Sequence, residues 1–158
     1  MPLELTSPAF ESGTMIPSEY TCDGKNISPP LTLSGIPQQA ASLVLICDDP
    51  DAPPGPNGPF THWLLYDLSP KLKEIPQGFS PTGRKSQKGM AGRNSFGNYT
   101  YEGPCSSGEK IHRYVFRVYA LQGDPDLPPN ADREQVLQGI KEHILEQAIH
   151  LGQYVSKN

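Results

Sequence analysis

Four polar side chains border apolar segments of this chain and could together hold a small anion. Asp49 and Asp51 follow the apolar run at residues 42–47, and His62 and His112 each open another apolar run. Imidazoles can donate hydrogen bonds to anionic oxygens, and a carboxylate that accepts from one ring nitrogen fixes the tautomer of that ring. These residue types therefore suit the binding of an anion such as phosphate.

The sequence predicts that these residues lie at strand ends. The run at 42–48 is apolar enough to form a buried strand, and it ends at Asp49, before a proline that cannot continue the ladder. His62 and His112 stand where the next apolar runs begin, and Tyr114 lies within the second run. If the three strands are neighbours in one sheet, these side chains converge on one polar pocket at an edge of the core.

Other interpretations of the same residues remain open. Aspartates beside a proline commonly form Asx turns, and a buried histidine often only satisfies a hydrogen bond inside a core. Zinc held by Asp49, His62 and His112 has no short ligand spacing in its favour, and prolines exclude an EF-hand loop. We therefore predict neither a metal nor a cofactor.

Length and charge predict a single domain spanning residues 1–158 and exclude several classes of protein. A formal net charge of −4 argues against nucleic-acid binding, which relies on clustered Lys and Arg. No apolar run approaches the ~18 residues needed for an integral membrane span. The first six residues lack the basic and apolar regions of a signal peptide, which predicts a cytoplasmic protein.

Short apolar runs separated by Pro, Gly and Ser residues predict a mainly β protein. Strands are expected at 3–6, 31–33, 42–48, 61–68, 98–101 and 111–121. This spacing is typical of an antiparallel β-sandwich with Greek-key-like connections rather than of βαβ units.

The C-terminal part of the sequence predicts an α-helix that packs on the sandwich. Asp132 and Gln135 can form a capping box, which marks a helix start. Apolar residues then recur at helical spacings, namely Val136, Ile140, Ile144, Ala148, Leu151 and Val155. His143 and His150 are interpreted as boundary residues of this helix.

Several motifs resemble those of a known family. They are Asp49-Pro-Asp-Ala-Pro53, Thr61-His62-Trp63, Asn94-Ser-Phe-Gly97, Gly103-Pro104 and His112-Arg-Tyr114, preceded by Tyr20-Thr-Cys-Asp-Gly24. In order and spacing they resemble the phosphatidylethanolamine-binding protein family, also called Raf-kinase-inhibitor-like proteins, in its compact bacterial and archaeal branch. The resemblance covers residues from about 14 to 121.

The resemblance implies a central β-sandwich with a C-terminal helix and an anion-binding pocket. The pocket of relatives accepts phosphate, phosphorylated head groups or phosphorylated peptides, and backbone N–H groups near its glycine are expected to donate to the anion. The ligand-binding residues implied here are Asp49, Asp51, His62, Gly103, Pro104, His112 and Tyr114.

The same resemblance implies a non-enzymatic binding module and regulator of kinases or proteases. Its partner would be a small phosphorylated ligand or a phosphorylated protein segment, and many compact relatives are homodimers. The alternative from the residues themselves is a small hydrolase that uses His62 and Asp49 as an acid/base pair.

The sequence departs from relatives at two places. Ser106 and Ser107 stand where bacterial and archaeal relatives continue with two prolines, which should loosen that rim of the pocket. Thr61 precedes His62 where kinase-regulating relatives carry two adjacent histidines, so a kinase partner does not transfer directly.

Two further expectations concern cysteines and a basic segment. Cys22 and Cys105 are expected near each other as thiols rather than bonded, because the cytoplasm keeps thiols reduced. Residues 78–98 contain basic side chains and no acid, which indicates a solvated loop or a collar for a phosphate-bearing partner. The basic residues are Arg84, Lys85, Lys88 and Arg93, of which Arg93 is the best candidate for the collar.

Overall fold

The computed structural model describes residues 2–53, 58–81, 88–105 and 110–156. Within these ranges the chain forms nine strands and one α-helix. The strands are β1 (Glu4–Thr6), β2 (Thr14–Met15), β3 (Leu31–Ser34), β4 (Ser42–Asp49), β5 (Phe60–Leu68), β6 (Glu74–Ile75), β7 (Lys88–Ala91), β8 (His112–Leu121) and β9 (Ile144–Tyr154), and the helix is α1 (Arg133–Ile140).

The strands form two sheets, which confirms the predicted mainly β sandwich. The smaller sheet has the order β1-β3-β6, and the larger one has the order β2-β9-β8-β4-β5-β7. Neighbouring strands pair antiparallel, except that β2 runs parallel to β9. The larger sheet carries four of the predicted site residues, namely Asp49, His62, His112 and Tyr114.

Strand β4 is apolar throughout because both of its faces are buried. Leu43, Leu45 and Cys47 belong to the core between the two sheets. Val44 and Ile46 belong to a second apolar cluster on the opposite face, which α1 covers. A strand that lies between two layers reads as a continuous apolar run, and this is why residues 42–48 gave a clear prediction.

Helix α1 begins where the sequence predicted but is much shorter than expected. Asp132 and Gln135 form the predicted capping box, and Val136 and Ile140 are the buried residues of the helix. The helix ends at Ile140, and residues Ile144–Tyr154 form strand β9 instead of further helical turns. The predicted helix over residues 144–155 is therefore wrong.

The core side of β9 explains this error. Ala148, His150 and Gly152 lie on the side of the strand that packs toward the sandwich core. A Cβ atom at Gly152 would lie 2.5 Å from Ile16 and 3.1 Å from Phe10, so only a small residue fits there. Small and polar residues at inward positions hide the alternation of a strand, and the remaining apolar residues then mimic a helical period.

The predicted roles of His143 and His150 also need correction. His143 follows α1, and its Nδ1 donates to the Gln122 carbonyl at 2.8 Å. His150 lies within β9, where its Nε2 donates to the Phe10 carbonyl at 3.0 Å. Neither histidine is a boundary residue of a long helix.

The strand predicted at 98–101 is absent, because the segment forms a loop anchored by side chains. Asn94 accepts the Asn98 N–H, and the Tyr101 hydroxyl donates to the Tyr20 carbonyl at 2.7 Å.

The short strands β2, β6 and β7 were not predicted from the sequence. Among the described residues, no helix has the length and apolar character to cross a membrane.

Candidate functional site

Strand pairing brings the predicted site residues to one end of the larger sheet. Strand β4 lies between β5 and β8 and runs antiparallel to both. Asp49, at the end of β4, therefore pairs with Phe60, at the start of β5. Asp48 pairs with Val115, close to the start of β8. The end of one strand and the beginnings of its two neighbours meet at the same edge.

A β-bulge at His62 decides which side chains face the core. Cys47 pairs with Trp63 and Asp48 pairs with Thr61, so His62 is the extra residue on its strand. A bulge shifts the alternation of side chains by one and commonly re-aims a functional residue. Here the Thr61 hydroxyl donates to Asp48 on the α1 face. His62 instead packs on the core side.

A short side-chain contact in the site joins Asp49 to His112. Nδ1 of His112 donates to Oδ2 of Asp49 at 2.7 Å, although the residues are 63 positions apart. Asp49 is only 2% exposed, and its other oxygen accepts the N–H groups of Asp51 and Ala52. The Asx turn considered for this residue is thus present together with the imidazole contact.

His62 is buried beside Tyr114 and is held by the backbone. Its ring is 4% exposed and lies 5.3 Å, centroid to centroid, from the Tyr114 ring. Nδ1 of His62 donates to the Glu102 carbonyl at 2.7 Å. Burial lowers the pKa of His62 below its ordinary value, against smaller opposing effects of the Glu102 carbonyl and the Asp49 carboxylate.

Both imidazoles therefore use the same nitrogen to hold themselves in place. With Nδ1 donating to a protein oxygen, Nε2 is an acceptor in the neutral ring and a donor in the protonated ring. Among the described residues, no hydrogen bond reaches Nε2 of either His62 or His112. Two oriented ring nitrogens at one strand end can bind an oxyanion, either by taking up a proton or by accepting one from the ligand.

Asp51 does not point its carboxylate at the two histidines. It pairs with Arg113, whose side chain and backbone N–H both donate to it at 2.8–3.0 Å. The hydrogen bonds from Arg113 lower the pKa of Asp51 to about 2. This contact fixes the start of β8 next to His112, while the predicted ligand contact of Asp51 stays a prediction.

Gly103 and Pro104 lie next to the site but make different contacts from those expected. The Gly103 N–H donates to Asn26 Oδ1 at 2.8 Å, so this group is not free to hold an anion. The Pro104 carbonyl accepts the Cys22 N–H. A Cβ atom at position 103 would lie 2.2 Å from the Tyr20 carbonyl oxygen. Glycine is needed here for backbone packing, and the expected donation to an anion from backbone N–H groups near it stays a prediction.

Two residues that shape the site were not selected from the sequence. Asn94 is buried, and its carboxamide binds Thr100, Glu102, Phe96 and Asn98. Glu102 supplies the carbonyl that orients His62, and its own N–H donates to the His62 carbonyl. The sequence signals for Asn94 were the turn-forming Asn and Gly residues of segment 94–97 and the resemblance of that segment to a family motif.

Comparison with known proteins identifies the family. Residues 6–155 match the sequence profile of the phosphatidylethanolamine-binding protein family. The chain belongs to this family. A UPF0098 protein of Methanothermobacter thermautotrophicus is 42% identical over 152 residues, which is 96% of this chain and 98% of that protein. The compact branch that the motifs predicted is thus represented among the relatives.

Solved structures of phosphatidylethanolamine-binding protein homologues share the fold. A homologue from Chlamydia trachomatis superposes with a TM-score of 0.88 at 37% identity, and 99% of each chain is covered. YbcL of E. coli, described as a member of the mammalian family, gives a TM-score of 0.85 at 27% identity, covering 99% of this chain and 100% of its own. The predicted family and fold class are therefore confirmed.

Several residues that were singled out in the sequence lie outside the described residues. Ser106, Ser107, Arg84 and Lys85 lie in undescribed segments, as does the side chain of Lys88. Arg93 lines a cavity of about 450 Å³ that also contains Thr61 and Arg133. That cavity includes the start of α1, so Arg93 lies toward the helix face and not beside His112. In the part of the chain that the structure covers, no cluster of three His, Cys, Asp or Glu residues could hold a metal.

Cys22 and Cys105 form a disulfide, with their Cα atoms 5.3 Å apart. Their predicted proximity is confirmed, and the expectation that they stay as free thiols is wrong for this structure. The bond joins the loop after Tyr20 to the Gly103-Pro104 segment, which the Cys22 N–H also contacts. Cys47 is the free cysteine and is buried in the core between the two sheets.

Proposed function

We propose that this protein is a non-enzymatic binding module whose site holds an oxyanion between His62 and His112. The ligand is a phosphate group on a small molecule or on a protein segment, and Asp49 and Tyr114 complete the site. Membership of the phosphatidylethanolamine-binding protein family supports a binding role in general.

One observation carries this proposal: both histidines commit Nδ1 to the protein, and no hydrogen bond from another described residue reaches Nε2 of either ring. A ring anchored through Nδ1 cannot rotate freely, so its Nε2 is oriented before a ligand arrives. Orientation in advance reduces the entropy lost on binding. Two histidines that only filled space in the core would not both need to be anchored through Nδ1 at the same end of the sheet.

The charges of the site determine which form of a ligand it accepts. The buried carboxylate of Asp49 repels an anion, whereas protonated imidazoles attract it. Because burial lowers the pKa of His62, that ring is neutral at pH 7 and can accept a proton from a monoprotonated phosphate. The site therefore favours two kinds of oxyanion. One kind carries a proton that it can donate, and the other promotes protonation of an imidazole ring through its negative charge.

Calorimetric titration with inorganic phosphate tests the proposal directly. His62→Gln and His112→Gln should each weaken phosphate binding by roughly tenfold, the loss expected for one ionic hydrogen bond. His143→Gln is the matched control, because His143 lies at the opposite end of the larger sheet, beside the Leu121 end of β8. Equal phosphate affinity for all three variants and the unchanged protein would refute the site.

A hydrolase is the second candidate, and one contact favours it. Asp49 and His112 form the carboxylate–imidazole pair that general bases use. The sequence suggested His62 as the partner of Asp49, whereas the structure pairs Asp49 with His112. Hydrolysis of p-nitrophenyl phosphate or acetate that disappears in His112→Gln would favour this candidate over a binding module.

The identity of the partner and the regulatory role of the protein are the more specific parts of the proposal. We infer that the ligand is a phosphorylated metabolite or a phosphorylated protein segment. The biological outcome of binding is the regulation of a kinase or a protease. Nucleic acid is excluded as a partner. A formal net charge of −4 supports the exclusion of nucleic acid. Light scattering at several protein concentrations tests the homodimer that relatives suggest.

The compartment is part of the same proposal, and the disulfide makes it testable. In the cytoplasm, the proposed location, glutathione and thioredoxin would keep Cys22 and Cys105 reduced. Alkylation of thiols at the moment of cell lysis, followed by mass measurement, reports the state in the cell. A bond that is fully formed at lysis would contradict the cytoplasmic location.

A further inference from the structure

Helix α1 covers only part of the face of the larger sheet that is turned away from the smaller sheet. In the second half of β8, Tyr119 and Leu121 are buried in the apolar cluster that includes α1. In the first half, Arg113 is exposed and Val115 and Arg117 are half-buried, although they lie on the same face. The first half of β8 therefore lacks the cover that α1 gives to the second half.

Strands β9 and β2 extend this uncovered area. Leu151 pairs with Val115 and Ile149 pairs with Arg117, so these side chains share one face, and Met15 adds the neighbouring strand β2. Met15 is 45% exposed and Ile149 is 53% exposed. We call Met15, Val115, Arg117, Ile149 and Leu151 the outer β8–β9 face. Contiguous exposed apolar surface of this kind marks a site of interaction.

One cation on the outer β8–β9 face has no ion-pair partner. Among the described residues, the Arg117 side chain forms no hydrogen bond or ion pair, and its Nε is buried. Two carboxylates near this end of the sheet are engaged elsewhere, since Asp48 pairs with Arg133 and Asp51 pairs with Arg113. A partner that covers this face must therefore bring apolar side chains together with a carboxylate.

The direction of α1 determines which shape of partner fits beside it. Nε of Arg133, at the start of the helix, donates to Asp48 at the end of β4. The carbonyl of His143, after the helix, accepts the N–H of Gln122, which follows β8. The helix thus runs along the strands. Because strands lie about 4.8 Å apart, the pair β8 and β9 is displaced by roughly 10 Å from the pair β4 and β5.

This displacement matches the spacing of two packed helices, which is about 8–10 Å. A helix over the outer β8–β9 face would therefore contact both the sheet and the side of α1. The uncovered part of β8, residues 113–117, is about 13 Å long, which corresponds to a helix of roughly nine residues. Helix α1 itself covers its half of the face with eight residues.

We propose that the outer β8–β9 face binds an acidic, amphipathic α-helix of a partner protein, side by side with α1. The apolar side of that helix covers Ile149, Leu151 and Val115, and one of its carboxylates pairs with Arg117. This interaction surface does not depend on the proposed anion site.

Two other occupants fit this face less well. A lipid bilayer is flat, whereas α1 forms a ridge about 10 Å high beside the face and would hold head groups away from Leu151. A second copy of this chain would have to offer a free amphipathic helix. In the part of the chain that the structure describes, α1 already buries Val136 and Ile140 against its own sheet.

A phage-displayed library of amphipathic helices tests this proposal. Each helix has about 16 residues, with leucines at helical spacing and Glu, Gln or Lys at every flanking position. Selection on the unchanged protein should enrich Glu over Lys, because Arg117 lacks an ion-pair partner. The selected helices should bind Ile149→Glu roughly tenfold more weakly, through loss of a buried apolar contact.

Two charge variants and one control complete the design. Arg117→Gln should bind the selected helices about two- to fivefold more weakly, whereas Arg117→Lys should keep most of the affinity. Tyr99→Glu is the matched control, because Tyr99 is 46% exposed but lies in a loop outside this face. It should bind the helices as the unchanged protein does. Circular dichroism verifies that Ile149→Glu is folded, and Met15→Glu replaces it if it is not.

Several results would overturn the proposal. They are a library that yields no enriched helix, enriched helices without an excess of Glu, and equal binding to Ile149→Glu and the unchanged protein. A dimer of the unchanged protein that becomes a monomer in Ile149→Glu, measured by light scattering, would assign the face to a second copy. Vesicles of phosphatidylglycerol that bind the unchanged protein but not Ile149→Glu would assign it to a membrane surface.

Discussion

Asp48 and Asp49 are neighbours in the sequence, yet their carboxylates act on opposite faces of the larger sheet. Asp48 accepts the Thr61 hydroxyl at 2.8 Å and Nε of Arg133 at 3.0 Å, on the side covered by α1. Asp49 accepts Nδ1 of His112 at 2.7 Å in the candidate site. The end of β4 therefore contributes to two separate polar clusters, and substitutions of Asp48 and Asp49 can distinguish between them.

Asp49→Asn and Asp48→Asn should have different effects on phosphate binding. Asp49→Asn removes the charge that holds the His112 tautomer, so phosphate affinity should change several-fold. Asp48→Asn should leave phosphate affinity unchanged and lower the free energy of unfolding by about 1–3 kcal/mol, because it removes a partly buried ionic contact with Arg133. Calorimetry and urea unfolding measure the two quantities. If Asp48→Asn changed the phosphate affinity as much as Asp49→Asn does, the two polar clusters would not be separate.

Phosphate affinity should rise as the pH falls below about 6.5. Burial lowers the pKa of free His62, whereas a bound dianion stabilises the charged ring and raises that pKa. Binding therefore takes up a proton between the two pKa values. Titrations from pH 8 to pH 5, corrected for the titration of phosphate itself, measure this uptake. The rise should be smaller in His62→Gln than in the unchanged protein, because His112 remains in that variant.

Stability should fall on mild acidification, because two histidines are buried in their neutral form. Burial lowers the pKa of both His62 and His150. Their folded-state pKa values lie below the unfolded value near 6.5, so the unfolded chain binds more protons there. The free energy of unfolding should thus decrease as the pH falls below 6.5. Urea unfolding at pH 7.5 and pH 5.5 checks the sign.

The control for this pH effect is the double variant His62→Gln, His150→Gln. Its stability is lower at every pH, but the decrease between pH 7.5 and pH 5.5 should be smaller than in the unchanged protein. A decrease of the same size in both proteins would assign the pH dependence to other groups.

The Cys22–Cys105 disulfide should stabilise the fold substantially. It closes a loop of 83 residues, and removal of such a bond costs about 2–4 kcal/mol. Cys105→Ser should therefore lower the melting temperature by several degrees, measured with and without reductant. An unchanged melting temperature on reduction of the unchanged protein would show that the bond contributes nothing.

Alkylation supplies the matching control for the disulfide. Burial raises the pKa of the Cys47 thiol well above its ordinary value, so this thiol should not react in the folded protein. The folded, oxidised protein should take up no label, and the unfolded, oxidised protein should take up one, at Cys47. After reduction and unfolding, all three cysteines should react.

Gly103→Ala should destabilise the protein by about 1–3 kcal/mol through overpacking. The new methyl group would lie 2.2 Å from the Tyr20 carbonyl oxygen and 2.7 Å from Asn26 Oδ1. Gly78→Ala is the comparison, since nothing lies within 4 Å of its Cβ position and only its positive φ of 72° is strained. A cost near 1 kcal/mol is expected there. Equal costs at both positions would argue against the close packing at Gly103.

The sequence predicted the strand ends of the site because β4, β5 and β8 are long apolar runs that begin or end at a polar residue. Asp49, His62 and His112 therefore lie where expected. The bulge at His62 and its contact with the Glu102 carbonyl could not be predicted, because both depend on backbone atoms of other segments. The lowered pKa of His62 follows from its burial in the folded protein.

The error in β9 has a different cause. Its inward positions 148, 150 and 152 carry small or polar residues, and Gly152 must be small because Phe10 and Ile16, from a distant part of the chain, occupy the space beside it. A sequence window centred on residue 150 contains no trace of those two partners. Helix α1, in contrast, was located by the capping box of Asp132 and Gln135, which is a local signal.

Strand β9 also determines when the larger sheet can be completed during protein synthesis. It pairs with β8 from His112↔Tyr154 to Leu121↔Ile144 and carries β2 on its other side. A ribosome that has reached residue 143 has made the strands of Asp49, His62 and His112, but β8 still presents an open backbone edge. Open edges recruit other chains and promote aggregation. We therefore expect the nascent chain to expose this edge of β8 until β9 has been made, which happens after all of the anion-site residues have been added.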